Sequence, residues 1–241
     1  MRILIVNDDS ITSSVLAPLA KWAQKLGEVT VVVPKFEQSG KSHSIEIHKP
    51  FEVRALPDIV PNVRTFTVDS SPADCVRYAI LGMHKQFDLV LSGINRGLNI
   101  GTDIMYSGTV GAATEAVALG CKAVALSTEP ESFDTALAHL DTVLDCFVQH
   151  NLLEKNDLYN VNIPHTVKGL RITRQGGPYY SDDFPAIDNH LVRPTGKCVY
   201  VEGDDYTVDT HAVLHGYISI TPLAFDRTAH NIVAQLSHLN P

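Results

Sequence analysis

The chain has 241 residues, 44% of them hydrophobic, which is enough for one sizeable core without disulfides and short enough for a single α/β domain. Its 19 Lys and Arg stand against 27 Asp and Glu, a net charge of −8, and no basic block is present to gather a nucleic acid polymer. Cys75, Cys121, Cys146 and Cys198 form no CxxC pair, which excludes a zinc knuckle or a dithiol motif and reads as four reduced thiols.

Residues 3–6 are an apolar run that ends at Asn7-Asp8-Asp9. The run is too short for a signal or membrane segment, so a cytoplasmic location without membrane contact is expected. It suits a strand buried on both faces, as do residues 29–33, 89–91 and 123–126, and together they predict a parallel sheet. Between the first two, Val15, Leu16, Leu19, Ala20, Trp22, Ala23 and Leu26 recur at helical spacing and stop at Gly27. Residues 109–119, closed by Gly120, form a helix of small residues able to approach a sheet closely, and residues 134–148 read as one amphipathic helix. From Asn151 onward short β-prone stretches at 159–163, 170–173, 198–202 and 217–221 alternate with turn residues and predict hairpins. Residues 176–195, with three prolines and two glycines, are a long excursion suited to a lid or a subunit contact. One domain over 1–241 is expected, with a core at 1–150 and a strand and hairpin extension at 151–241.

In open parallel sheets, ligands bind beyond the carboxyl ends of the strands. The first strand is followed by Asp8 and Asp9, the second by Glu37-Gln38-Ser39-Gly40, and the next main strand runs into Ser92-Gly93-Ile94-Asn95. Adjacent carboxylates beside a buried strand repel each other and resist desolvation unless a cation or hydrogen-bond donors compensate. Asp8, Asp9, the Ser39 hydroxyl and the Asn95 amide oxygen make an all-oxygen set that favours Mg²⁺, Mn²⁺ or Ca²⁺ over zinc. An Asp that merely caps the following helix is the other reading of the pair. Ser107-Gly108-Thr109 opens the small-residue helix, where unpaired N–H groups can hold a phosphate without a basic side chain. Ser107 or Thr109 can serve there as an ordinary cap as well.

Other motifs fall away. Gly40-Lys41-Ser42 lacks the leading glycine of a P-loop, since position 35 is Lys35. Ser10 stands where an aspartyl-phosphate phosphatase carries its second aspartate. His211 and His215 lack the glutamate of a zinc peptidase, no Gly-x-Ser-x-Gly elbow occurs, and His230 reads as a structural residue of the tail.

With Asn7-Asp8-Asp9, Ser39-Gly40 and Ser92-Gly93-Ile94-Asn95 continuing through Gly97, Asn99, Gly101, Asp103, Tyr106-Ser107-Gly108-Thr109-Val110, Ala112 and Glu115, the chain resembles the SurE family of 5′-nucleotidases over nearly its whole length. Pro72, Asp74-Cys75-Val76, Asn160, Asn162, Pro164 and the run at 216–223 extend the resemblance. It implies a Rossmann-like three-layer core with an extended carboxyl-terminal segment, and one divalent ion per subunit on Asp8, Asp9, Ser39 and Asn95. It also adds Asn7, Gly40 and Asn99 to Ser107, Gly108 and Thr109 as substrate- or phosphate-binding residues. Release of phosphate from nucleoside 5′-monophosphates, and a homodimer or homotetramer with exchanged carboxyl-terminal segments, are implied too. The family has glycine where this chain has Ser10, whose Cβ strains the loop if positive φ is required. Ser13-Ser14-Val15 and Asp69-Ser70-Ser71-Pro72 are further departures.

The expected reaction is metal-assisted hydrolysis, with Asp8 or Asp9 orienting or deprotonating water. A metal-dependent nucleotide-binding module that does not turn its ligand over is the alternative. A sugar-nucleotide transferase would need a second nucleotide domain, for which the sequence has no counterpart.

Overall fold

Strand β1 (Arg2–Val6) runs through the middle of the molecule, and its side chains alternate between two helical layers. Ile3 and Ile5 join one cluster with Leu16, Leu19, Leu140 and Phe147, whereas Leu4 and Val6 join a second with Cys75, Val110, Ala112 and Ala116. The computed structural model describes residues 1–130 and 132–239. Its further strands are β2 (Glu28–Pro34), β3 (Val53–Leu56), β4 (Arg64–Val68), β5 (Leu89–Arg96), β6 (Lys122–Thr128), β7 (Leu158–Ile163), β8 (Gly169–Ile172), β9 (Tyr180–Asp183), β10 (Thr195–Cys198) and β11 (Tyr217–Pro222). The helices are α1 (Leu16–Ala23), α2 (Pro72–Arg77), α3 (Gly108–Ala118), α4 (Phe133–Ala138), α5 (Leu140–Gln149), α6 (Leu152–Lys155), α7 (Asp209–Leu214) and α8 (His230–Gln235).

Nine strands form one sheet in the order β3-β4-β2-β1-β5-β6-β7-β11-β8. The six from β4 to β7 are parallel, β3 pairs antiparallel with β4 at one edge, and toward the other β11 pairs antiparallel with β7 and parallel with the edge strand β8. The chain builds outward from β1 through β2 to β4, then returns and builds the other way from β5. The crevice where ligands bind therefore opens beyond the carboxyl ends of β1 and β5. Helices α1, α4 and α5 cover one face, and α2 and α3 cover the other.

Two sequence expectations need correction. Residues 134–148 are not one helix, because His139 Nδ1 donates to the Thr135 carbonyl (2.9 Å) and the backbone breaks at φ −105°, ψ 4° between α4 and α5. The strand expected at 198–202 lies earlier, as β10, which pairs Cys198 with Tyr180 in an antiparallel hairpin. Beyond it the chain leaves the ladder and Tyr200 packs edge-on against His211, 5.7 Å between centroids. Past residue 150 the chain adds β7, β11 and β8 to the main sheet, and β9 and β10 make a separate exposed hairpin.

Asp209 ties that hairpin to the core. Its carboxylate, 1% exposed, accepts N–H bonds from Gly101 (3.0 Å), Gly176 (2.8 Å) and Thr210 (2.7 Å). Thr102 N–H to Gly177 O and Gln175 Nε2 to Gly101 O reinforce the junction. Burial pushes the Asp209 carboxyl above its ordinary value, and the three N–H groups oppose that shift. Asp209→Ala strands buried donors, so it should destabilise the fold by about 2 kcal/mol, read as a lower urea midpoint at constant slope. An unchanged midpoint would show that the donors find other partners.

Candidate active site

Beyond β1 the chain turns through Asn7, Asp8, Asp9 and Ser10, of which Asn7, Asp8 and Ser10 are buried. Asn7 Nδ2 donates to the Ser10 carbonyl (2.9 Å), while Asn7 Oδ1 has no hydrogen-bond partner among the described residues. Ser10 adopts φ +71°, the left-handed conformation that glycine adopts freely. Its hydroxyl pairs with Thr12 Oγ1 at 2.9 Å, which offsets part of the strain.

Asp8 is 4% exposed and accepts the Thr109 hydroxyl proton at 2.6 Å. Burial pushes its carboxyl up to about 6, the Thr109 bond opposes that shift, and the Asp9 charge adds to it. The close approach of α3 depends on Gly108, where an added Cβ would lie 3.1 Å from Asp8 Cβ and 3.2 Å from Pro72 Cγ. Asp9 Oδ2 accepts the Arg96 N–H at 3.1 Å, which brings the end of β5 against the pair. Burial raises the Asp9 carboxyl; the Arg96 N–H and charge oppose the shift, and the Glu37 charge adds to it.

Strand β2 contributes through its following loop. Gln38 N–H donates to the Asp8 carbonyl (2.8 Å), one position before Ser39. Ser39 and Gly40 are exposed, and the Ser39 hydroxyl donates to Glu37 Oε1 (2.7 Å), leaving the hydroxyl oxygen as an acceptor. In β5, the register against β6 shifts between Ser92 and Asn95. Asn95 Nδ2 donates to the Gly97 carbonyl (2.8 Å), so its side-chain oxygen is the atom not used internally.

The phosphate candidates divide by role. Ser107 Oγ accepts the Val110 N–H (3.1 Å) and caps α3. Thr109 is fully buried with its hydroxyl on Asp8. Gly108, between them, leaves the helix end open at the backbone. Asn99 belongs to a buried amide network: its N–H donates to Asn162 Oδ1, its Nδ2 to Ser127 Oγ, and its carbonyl accepts from Asn160 and Asn162 Nδ2, each at 2.8 Å. At 69–72, Ser71 caps α2 with Pro72 at its first position.

Among the described residues, no three His, Cys, Asp or Glu side chains converge to hold a metal. A cation here would rely on two carboxylates and neutral oxygens. The donor set fits a hard ion: two carboxylates held up by burial, the unpartnered Asn7 Oδ1, and oxygens from Ser39 and Asn95. His211 and His215 lie on or next to α7, where His215 Nδ1 donates to the His211 carbonyl (2.8 Å). His230 pairs with Asp226 at 2.7 Å in the exposed tail. Sequence reasoning assigned no role to Glu37, Arg96, His43 or Asp209. For Glu115 the signal was present, because a lone carboxylate interrupts a helix of Gly, Ala, Val and Thr.

Two predictions follow from this geometry. The folded, metal-free protein holds the Asp8 proton more tightly than the unfolded chain does, so ionising Asp8 destabilises it. Stability from this group is lost as pH rises from about 4 to about 6, by about 3 kcal/mol, and is flat above. Chelator-treated Asp8→Asn should therefore melt above the parent at about pH 8 and level with it at about pH 4; equal melting at both would refute the assignment. At the next turn, Ser10→Gly should exceed Ser10→Ala in stability by about 1 kcal/mol in chemical denaturation, since only glycine relieves the positive φ.

Known proteins of similar sequence and fold fall in one family. The family model described as Survival protein SurE matches residues 3–182. The 5′-nucleotidase SurE of Thermoanaerobacter sp. (strain X514) is 37% identical over 244 residues, covering 97% of this chain and 96% of its own. That of Clostridium tetani is 38% identical over 250 residues, covering 99% of both chains. That of Vibrio cholerae is 34% identical over 252 residues, covering 99% of this chain and 97% of its own. A crystal structure of the SurE protein from Aquifex aeolicus superposes with a TM-score of 0.81 at 33% identity, over 100% of both chains. The α/β fold and the resemblance read from the sequence both hold, and the chain belongs to the SurE family.

Proposed function

We propose that this chain is a 5′-nucleotidase, a hydrolase that releases phosphate from nucleoside 5′-monophosphates with a divalent ion held by Asp8, Asp9, Ser39 and Asn95. The observation that carries this reading is the burial of Asp8, raised to about 6, at the crevice where β1, β2 and β5 end. A divalent ion bound there supplies charge neutralisation for the phosphoryl oxygens and acidifies water, with Mg²⁺ or Mn²⁺ favoured by the oxygen donors and Ca²⁺ able to fill the same set.

The chain's own residues do the rest. Thr109 holds the Asp8 carboxylate in place through its hydroxyl bond to Oδ1. Asp8 then orients a water and takes its proton, a role that suits a carboxyl raised by burial. The open end of α3 at Gly108, with Ser107 as its cap, holds phosphate oxygens by N–H groups and needs no lysine. In this reading Asn7 and Gly40 add substrate contacts, and Asn99 braces the loop between β5 and α3. No helix of the described residues is long and apolar enough to cross a membrane.

The carboxyl-terminal part supports assembly as a homodimer or homotetramer. Phe184, Ile187, Leu191 and Val192 on the hairpin, and Ile232, Val233 and Leu236 on α8, expose apolar surface in the single chain. Exchange of these segments between subunits would cover it.

The test is phosphate release from 5′-AMP after chelation and restoration of Mg²⁺ or Mn²⁺. Activity should vanish on chelation, return with the ion, and fall at least about a hundredfold in Asp8→Asn. Binding of 5′-AMP with no release over hours would replace the enzyme by a nucleotide-binding module.

A further inference from the structure

Residues 35–50, which carry Ser39 and Gly40, contain no helix or strand. Such a segment holds a ligand in place only if it is pinned from outside. One pin lies just before Ser39, at the Gln38 N–H to Asp8 carbonyl bond. The next lies just beyond Lys41, where Ser42 N–H donates to the Tyr106 carbonyl (2.9 Å) and Ser42 Oγ to the Met105 carbonyl (2.6 Å). His43 Nε2 then meets Glu115 Oε2 at 2.6 Å. Only Ser39, Gly40 and Lys41 span the gap between the pins.

The Glu115 end is built for this contact. Its side chain is 8% exposed, on α3, and its other oxygen accepts from Arg77 Nη1 at 2.9 Å. Arg77 and His43 together hold the Glu115 carboxyl below the ordinary carboxylate range. Asp74, one turn before Arg77 on α2, accepts the Glu46 N–H at 2.8 Å, so the same segment is tied to a second helix. Gly111 lets the chain lie against α3: a Cβ there would stand 2.4 Å from the Ser42 carbonyl oxygen. A glycine inside a helix costs about 1 kcal/mol relative to alanine, and this close approach is what it permits.

We propose that His43 is a positioning residue for the divalent ion: bound to the Glu115–Arg77 pair, it sets where Ser39 stands relative to Asp8 and Asp9. One helix then serves both halves of the site, its first turn on the phosphate side and Glu115 on the loop that brings the third metal oxygen. The inference rests on Ser39 being a ligand, as proposed above. The imidazole reaches Glu115 as a hydrogen-bond donor, and glutamine at 43 can donate to the same carboxylate.

The test uses the 241-residue chain, its His43→Ala and His43→Gln variants, Mn²⁺ titrated calorimetrically without substrate, and phosphate release measured against Mn²⁺ concentration. His43→Ala should weaken Mn²⁺ binding about tenfold, the scale on which partners behind metal ligands act, and raise the Mn²⁺ needed for half-maximal rate by a similar factor. The rate at saturating Mn²⁺ should fall by a smaller factor, and His43→Gln should recover most of the affinity. Trypsin should cut after Lys41 faster in His43→Ala than in the parent. Parent-like Mn²⁺ affinity in His43→Ala, or equal losses in the Ala and Gln variants, would overturn the role. A parent that binds no Mn²⁺ overturns the metal reading itself, whatever the variants do.

Discussion

Thr109 donates its hydroxyl proton to Asp8 over 2.6 Å, and that bond joins the loop after β1 to the first turn of α3. It can form only if the helix lies almost on top of the strand end. The closeness depends on small residues: Gly108 faces Asp8 and Pro72, Gly111 faces the Ser42 carbonyl, and Ala112, Ala113 and Ala116 pack with no exposure against the sheet. A helix of ordinary width would stand farther off, leaving a buried carboxylate without its donor. The helix composition and the chemistry of Asp8 are thus one constraint seen twice.

The same four residues after β1 concentrate departures from good local structure. Asn7 leaves a buried oxygen unpartnered, Asp8 holds a carboxyl that burial disfavours, and Ser10 occupies a left-handed conformation. Folds keep such features where the surrounding structure over-determines them, and here β1 is buried on both sides by β2 and β5. Stability lost at the strand end is supplied by the sheet behind it.

The apolar runs of β1, β2, β5 and β6 and the polar residues at their ends were readable in the sequence because a buried parallel strand has a simple pattern and ligands gather at carboxyl ends. What stayed hidden depends on contacts far apart in the chain or on one side chain's choice of partner. The break at His139 comes from a ring nitrogen competing for a carbonyl, which helical periodicity does not register. Ser107 and Thr109 both suit a cap; two positions apart on a helix, they point to different sides, and packing assigns the cap to one and Asp8 to the other. Glu115 and His43 are 72 positions apart, so their pairing has no local signature.

Asp209 reaches back across 108 positions to the Gly101 N–H. The turn that leads into α3 is therefore braced by a residue in the last seventh of the chain. During synthesis the sheet from β4 to β7 can assemble while that turn lacks its brace. A nascent chain still short of Asp209 carries the aspartate pair and the helix, and the loop joining β5 to α3 is then held at Asn99 by Ser127, Asn160 and Asn162 but not yet at the Gly101 N–H. Completion of the crevice is in this sense among the last events in the birth of the molecule, and a carboxyl-terminal truncation would act on it from a distance.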